Sequence, residues 1–515
     1  MKRKYVMMLM AAAGVFGPLG CKVGPDYVPP EVGPLSKFER RPPDTASIGS
    51  TSTLDPNVSQ MTQWWTTLQD PLLNDLVRRA AASNIDLKIA ESRLREARAR
   101  LTMVSGNRAP QVGFTSEYSR EQISHTAYPT GPLAGGESGI PLRWNLYDFG
   151  FDASWELDVF GGLKRSVEAA QADMGAMIED RRDVLVSTAA EIARNYVELR
   201  GLQHEYQIAQ RNLAVQQQTL ELIMDQKNKG TATQLDVDRA AAQVSATKAE
   251  MPTLQERQWQ SMHRLAVLLG AGPEDLVEEL STAAPIPVPP QHIGIGLPSD
   301  LLRRRPDIRR AERQLAASTA RLGVAAADLF PRFSLTGSAG LQSSNTNNLL
   351  EGDSNRYFFG PSLNLPIFNG GQLHAMVKVR TEQQEQCLMQ YQQTVLTALR
   401  EVEDAIVAFR LEQQRRQFLQ ETVSSNQEAE ELAQQLYRNG LTDYLTVLDA
   451  QRSLYKSQEM LAVSEKKVTI NLIVLYKALG GGWEPESAPV ETPETMPPAM
   501  VSHSVSQKTV LDVTP

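Results

Sequence analysis

The sequence predicts an α+β membrane protein made of two copies of one unit, each holding a pair of amphipathic strands and helices too long for a compact domain. Three observations carry this. The stretch from Gln372 to Arg438 contains neither glycine nor proline, and at 1.5 Å per residue it would reach about 100 Å as one unbroken helix. The segment FDASWELDVF alternates Phe151, Ala153, Trp155, Leu157 and Val159 with Asp152, Ser154, Glu156 and Asp158, the period-two pattern of a strand with one apolar face. AESRLREARARLTMVSGNRAPQV, from Ala90 to Val112, lines up with AERQLAASTARLGVAAADLFPRF, from Ala311 to Phe333, matching Leu94 with Leu315 and Pro110 with Pro331. Self-similarity at that distance marks an internal two-fold repeat.

From the N-terminus, Met1 to Lys4 is basic and Tyr5 to Phe16 is apolar but too short to span a bilayer, so residues 1–20 read as a secretory signal peptide. Leu19-Gly20-Cys21 resembles a lipobox, with Pro18 where leucine is usual. That makes Cys21 the expected first mature residue and the expected lipidation site. Lys22 follows it, which by the lipoprotein sorting rule directs the product to the outer membrane. Residues 21–60 are rich in Pro, Ser and Thr and read as an acylated, extended segment. The only other cysteine, Cys387, lies in a glutamine-rich helical stretch and is expected to stay reduced.

Residues 61–270 read as the first repeat, with helices, a strand pair at about 112–160 and a long helical hairpin. Residues 271–304 form a proline-rich connector. Residues 305–480 read as the second repeat, with its strand pair at about 332–368, and 481–515 as a C-terminal tail. In the long helices the apolar positions step by three and four, as in a coiled-coil seam. These are Leu388, Tyr391, Val395, Leu399, Val402, Ile406 and Phe409 in one, and Ile192, Tyr196, Leu199 and Tyr206 in the other. KGTATQLDVDRA matches NGLTDYLTVLDA, so each long helix is expected to turn back at Gly230 or Gly440.

The other strands share the alternation. Phe333, Leu335 and Leu341 stand opposite Arg332, Ser334 and Thr336. Tyr357, Phe359, Leu363, Leu365 and Ile367 fall on one side, and Val112, Phe114 and Tyr118 give a weaker strand. Segments of about ten residues with this pattern are those of outer-membrane barrels. Four strands cannot close a barrel, so several chains must share one. Two copies would give eight strands and three would give twelve.

The net charge of −8 argues against nucleic acid as a partner. The run Arg303-Arg304-Arg305 has no interleaved aromatics, and Pro306-Asp307 beside it reads as a helix start whose arginines pair with nearby acids. The six histidines lack metal spacing. Gly161-Gly162 and Gly370-Gly371 fit strand-to-helix turns better than phosphate loops, and no catalytic constellation is present. The chain is therefore not expected to be an enzyme, nor to bind a metal.

CKVGPDYVPP, QWWTTLQDPLLNDLVRRAAASNIDLKIAESRL, LPSDLLRRRPDIRRAE, NGLTDYLTVLDAQRSLYKSQ and LYKALGGGW together resemble the TolC family of outer membrane factors in its lipoprotein OprM/NodT branch. The resemblance covers nearly the whole chain. It implies a trimeric twelve-stranded outer-membrane β-barrel, four strands per chain, continued by a long periplasmic α-helical barrel. It also implies a passive exit duct of a tripartite efflux system, exporting small molecules such as drugs. The implied partners are two further copies of the chain, a periplasmic membrane-fusion adaptor, an inner-membrane transporter of the RND type, and outer-membrane lipid. No cofactor is implied beyond covalent lipid on Cys21. The alternatives are the outer membrane component of a type I protein secretion system, or a structural coiled-coil lipoprotein. The turns would form adaptor-docking tips at Gly230, Thr231, Gly440, Leu441 and Thr442. In OprM-like relatives a leucine and an aspartate ring close the periplasmic entrance, which here are Leu445 and Asp449. The first repeat sets Leu235 and Arg239 at the matching positions, so a salt bridge from Arg239 to Asp449 or Asp443 is expected to hold the tips shut.

Overall fold

The computed structural model describes residues 22–30, 53–55, 61–122, 143–290, 292–294 and 303–483. In chain order the elements are β1 (Thr53–Asp55), α1 (Pro71–Ser83), α2 (Ile85–Gly106), β2 (Gln111–Gln122), β3 (Arg143–Leu157), α3 (Gly162–Asn228) and α4 (Gln234–Leu268). They continue with α5 (Val277–Ser281), β4 (His292–Gly294), α6 (Pro306–Ala327), β5 (Arg332–Ser343), β6 (Asn355–Asn364), α7 (Gln372–Arg438) and α8 (Tyr444–Ala478). The repeat is metric as well as textual. Helices α2 and α6 have 22 residues each, α3 and α7 have 67 each, α4 and α8 have 35 each, and strands β2 and β5 have 12 each.

The four long strands form one antiparallel sheet in the order β2-β3-β5-β6. Its register aligns the apolar positions, so that Phe114, Phe151, Ala339 and Tyr357 form one row across the sheet. Phe114 and Phe151 meet at 5.3 Å, and Tyr118 and Tyr147 at 4.8 Å. Among the described residues this face has no covering layer: Phe151 is 60% exposed and Tyr357 88%. The opposite face is polar apart from Phe358 on β6 and Trp144 and Leu146 at the start of β3. There Arg356 binds Asp148 at 2.7 Å, Gln342 donates to Asp148 at 3.1 Å, and Thr115 donates to Asp152 at 2.8 Å.

The strands stop earlier than the alternation suggests. Val159 lies beyond the end of β3, and Leu365 and Ile367 lie beyond β6. At the first corner the Asp158 carboxylate accepts from the backbone N–H groups of Leu163 and Lys164 at 3.0 and 2.7 Å, which ends the ladder and starts α3. Gly161 and Gly371, with φ of 77° and 82°, then cap α3 and α7. Only a residue without Cβ takes that left-handed turn freely.

Helices α3 and α7 run without a break, and each returns through an antiparallel partner. No helix among the described residues is long and apolar enough to cross a membrane. Most seam positions are buried as expected, with Ile192, Leu199, Val402 and Phe409 at 0% exposure, while Tyr206, Leu388 and Leu399 are half-buried. Half-way along, these helices gather the largest core. Trp64 stacks on Tyr476 at 5.2 Å, and Tyr196 donates to Asp70, whose other oxygen caps α1. The arginine run is spent here. Arg305 binds Asp307 and Glu401 and donates to the carbonyl of Ala478, while Arg310 pairs with Asp180 and Asp183. Trp483 lies between Arg182 and Arg309 at 4.6 and 5.3 Å, and both guanidinium groups bind the buried Glu179.

Two outcomes follow. Native mass spectrometry of the detergent-extracted protein should return three chains, and a stable monomer would contradict a shared barrel. Phe409→Ala should cost about 3–5 kcal/mol of folding stability, the usual penalty for emptying a buried aromatic site, read as earlier heat dissociation of the oligomer.

Candidate functional site

The ends of the two hairpins are built alike. At the first, the N–H of Thr231 bonds to the carbonyl of Gln226 and that of Gly230 to Lys227. At the second, Leu441 bonds to Leu436 and Gly440 to Tyr437. Both are helix endings closed by a left-handed glycine, with φ of 75° at Gly230 and 71° at Gly440. No atom lies within 4 Å of a Cβ placed on either glycine. The turn geometry therefore accounts for glycine at both positions, while the surface around them is open.

The helices that follow are capped by the same two residue types in exchanged order. Thr233 caps α4, with Asp236 returning a bond to the Thr233 N–H at 3.1 Å. Asp443 caps α8, accepting from the N–H and hydroxyl of Thr446 at 3.1 and 2.8 Å. These bonds, led by the Thr446 hydroxyl, hold the Asp443 carboxyl below the usual aspartate range. The sequence reading missed this cap because it gave Asp443 a role in an ion pair. Among the described residues Arg239 makes no ion pair with Asp443 or Asp449, and acts on Asp443 only through space. The expected bridge is thus not a contact within one chain, and Thr446 occupies one oxygen of the Asp443 carboxylate.

Beneath the tips, Ile223, Ala240, Tyr444, Val447 and Leu448 are buried together and join the two hairpins. Tyr437 of α7 donates to Gln226 of α3, a tie that no sequence pattern announced. Leu445 and Asp449 lie on the other side of α8, one turn apart and exposed, and Leu235 at the matching place on α4 is 57% exposed. Leu445 is therefore not part of the seam within the chain. Thr231, Leu441 and Thr442 surround the same end, with Leu441 72% exposed and Thr442 donating to Thr446. Cys21 lies outside the described residues. Among those described, no group of acidic, histidine or cysteine residues has the arrangement of a metal site.

The pattern of the family described as "Outer membrane efflux protein" matches residues 76–271 and 297–481, well over half of the chain. Similar curated proteins include the probable efflux pump outer membrane protein TtgC of Pseudomonas putida, 32% identical over 95% of this chain and 99% of the relative. Nodulation protein T of Rhizobium leguminosarum bv. trifolii is 33% identical over 90% of this chain and 95% of the relative. Among solved structures, the outer-membrane channel OprN superimposes with a TM-score of 0.81 at 34% identity, covering 90% of this chain and all of that one. CusC, described as forming a transmembrane channel, gives 0.74 at 27% identity over the same shares.

The cap has a defined pH dependence. Because the folded-state pKa of Asp443 is depressed, its contribution is fully present above the ordinary aspartate pKa and is lost as pH falls through the folded value. The protection factors of the amides at residues 444–447, with the intrinsic exchange rate divided out, should therefore stay flat near neutral pH and fall only in acid. Asp443→Asn, which keeps the cap without the charge, should abolish that fall.

Proposed function

The chain belongs to the outer membrane efflux protein family, and from this we propose that it is the trimeric exit duct of a tripartite efflux system. It carries small molecules such as drugs across the outer membrane and the periplasm. The observation that carries the reading is the sheet. It has one bare apolar face, one face of paired charges and hydroxyls, and two unpaired edges at β2 and β6, and it continues directly into hairpins about 100 Å long. Three such sheets make twelve strands, enough for an aqueous lumen lined by the polar face. A structural lipoprotein would have no use for that second face. Reconstitution in a planar bilayer tests the reading, with discrete conductance steps expected and an electrically silent trimer refuting it.

In this reading the tips at Gly230, Thr231, Gly440, Leu441 and Thr442 meet a periplasmic adaptor, which couples the duct to an inner-membrane transporter of the RND type. Leu445 and Asp449 close the periplasmic entrance. Three leucines meeting on the axis exclude water, and three nearby aspartates attract cations and repel one another. Arg239 of one chain would then face Asp449 or Asp443 of another. Such an exposed pair is weak alone and gains weight only in three copies. Cys21 carries the lipid anchor in the outer membrane.

Leu445→Ala combined with Asp449→Ser should raise single-channel conductance and admit large antibiotics from outside, with trimer yield unchanged. Unaltered conductance in an assembled double variant would remove these residues from the gate. Cys21→Ser should abolish acylation yet leave the protein in the outer membrane fraction, because one acyl anchor contributes far less than twelve buried strands.

A further inference from the structure

The residues that follow Cys21 are held in a site of their own. Arg165, in the first turn of α3, is 0% exposed. Its guanidinium donates from Nε to the carbonyl of Val23 at 3.2 Å and from a terminal nitrogen to the carbonyl of Gly24 at 2.9 Å, and it pairs with Asp26 and Glu168 at 3.1 and 3.0 Å. The N–H of Val23 bonds to the carbonyl of Phe160. Lys22 pairs with Asp26 and Glu168, and Tyr27 donates to Glu312 of α6 at 3.2 Å. Two glycines make room for this. A Cβ on Gly24, where φ is +85°, would lie 2.7 Å from the Cα of Gly323, and one on Gly323 would strike Arg165. A fully buried guanidinium whose partners include two backbone carbonyls of one extended peptide is a receptor for that peptide.

We propose that the groove between α3 and α6 is a docking site for the chain's own mature N-terminus, in which Arg165 grips residues 22–27 and so fixes the lipid of Cys21 beside the β3–α3 corner. The placement follows from covalent geometry. Lys22 lies against Gly161 at that corner, within 3.2 Å of where a Cβ would sit, and consecutive Cα atoms are only about 3.8 Å apart. Phe160, Phe330 and Phe333 stack at the same corner, an aromatic cluster of the kind that marks a barrel's membrane interface. The acyl chains would therefore enter the periplasmic leaflet at three fixed points around the trimer. The strap also joins the two repeats, since α3 belongs to the first and α6 to the second. Its docking draws on peptide carbonyls and side chains, and not on the acyl group. The anchoring part of the proposal rests on the reading of Cys21 as acylated, while the docking part does not.

The test is amide exchange at Val23, whose N–H bonds to the carbonyl of Phe160, in the trimer purified from outer membranes. Wild-type and Cys21→Ser proteins should both exchange there at least about tenfold more slowly than an unstructured peptide. Arg165→Met should bring that amide to the free-peptide rate while strands β2 to β6 keep their protection, and Arg165→Lys should fall between. If Arg165→Met does not assemble, Asp26→Asn with Tyr27→Phe should weaken protection of the same amide. A photoreactive residue in place of Val159 should capture the Cys21 peptide with its lipid in the wild type and lose it in Arg165→Met. Free-peptide exchange in the wild type, or protection indifferent to Arg165, would overturn the docking site. Capture at Val159 that persists in Arg165→Met would overturn its role in placing the anchor. An unmodified mass for the Cys21 peptide would overturn the lipid reading alone, with strap protection still deciding the docking.

Discussion

In hydrocarbon no water replaces a missing hydrogen-bond partner, so the outward N–H and C=O groups of β2 and β6 must find strands elsewhere. Among the described residues the sheet has four strands and two open edges. Everything else in the molecule is consistent with satisfying those edges by assembly. The apolar face is bare because lipid will cover it. The polar face carries its own ion pair because it faces a lumen, and the helices leave the sheet at glycine corners that let them descend from its rim. An ordinary soluble sheet would have to bury the row of Phe114, Phe151 and Tyr357 against a second layer, and the described residues supply none.

Duplication then explains the regularity. Equal helix lengths place the returns at Gly230 and Gly440 level with one another, and a second pair of left-handed glycines, Gly270 and Gly480, ends α4 and α8 in the same way. The copies have diverged where the tertiary structure uses them differently. Gly270 packs against the carbonyl of Ser83, whereas Gly480 packs against Arg305, and only the second copy leads on to Trp483 and its two arginines. At the tips the caps kept their chemistry while exchanging the order of threonine and acid.

The few buried charges of this protein tie its segments together. Arg165, Arg305 and Lys466 are buried or nearly so, and each is compensated by two carboxylates. Lys466 of α8 lies between Glu198 and Glu205 of α3, fitted against Gly201. Burial alone would favour a neutral amine, but the two carboxylates outweigh it and hold the Lys466 pKa above its ordinary value. Such nodes specify which helix faces which, a task the heptad seams leave open because their apolar surfaces are interchangeable.

The sequence by itself determined the elements, the repeat and the membrane class, because these depend on short-range periodicity. An uninterrupted 67-residue helix, a period-two strand and a left-handed glycine are each legible from local residues. It overreached at strand ends, where Asp158 turns the chain before the alternation stops, and it gave no warning that α4 continues through Pro252, where packing of Leu254 against Leu202 and Ala209 holds the helix despite the lost hydrogen bond. Leu445 and Asp449 could be placed on one helix face from their spacing, but their exposure depended on which side of α8 the core of Tyr444, Val447 and Leu448 occupies. The tie from Tyr437 to Gln226 and the grip of Arg165 on residues 23 and 24 were decided only by the tertiary structure, whereas the cap of Asp443 on Thr446, three positions on, is a local signal that the sequence does carry. The first two join groups more than a hundred positions apart and depend on three-dimensional side-chain placement, about which the order of residues along a chain carries no periodic signal.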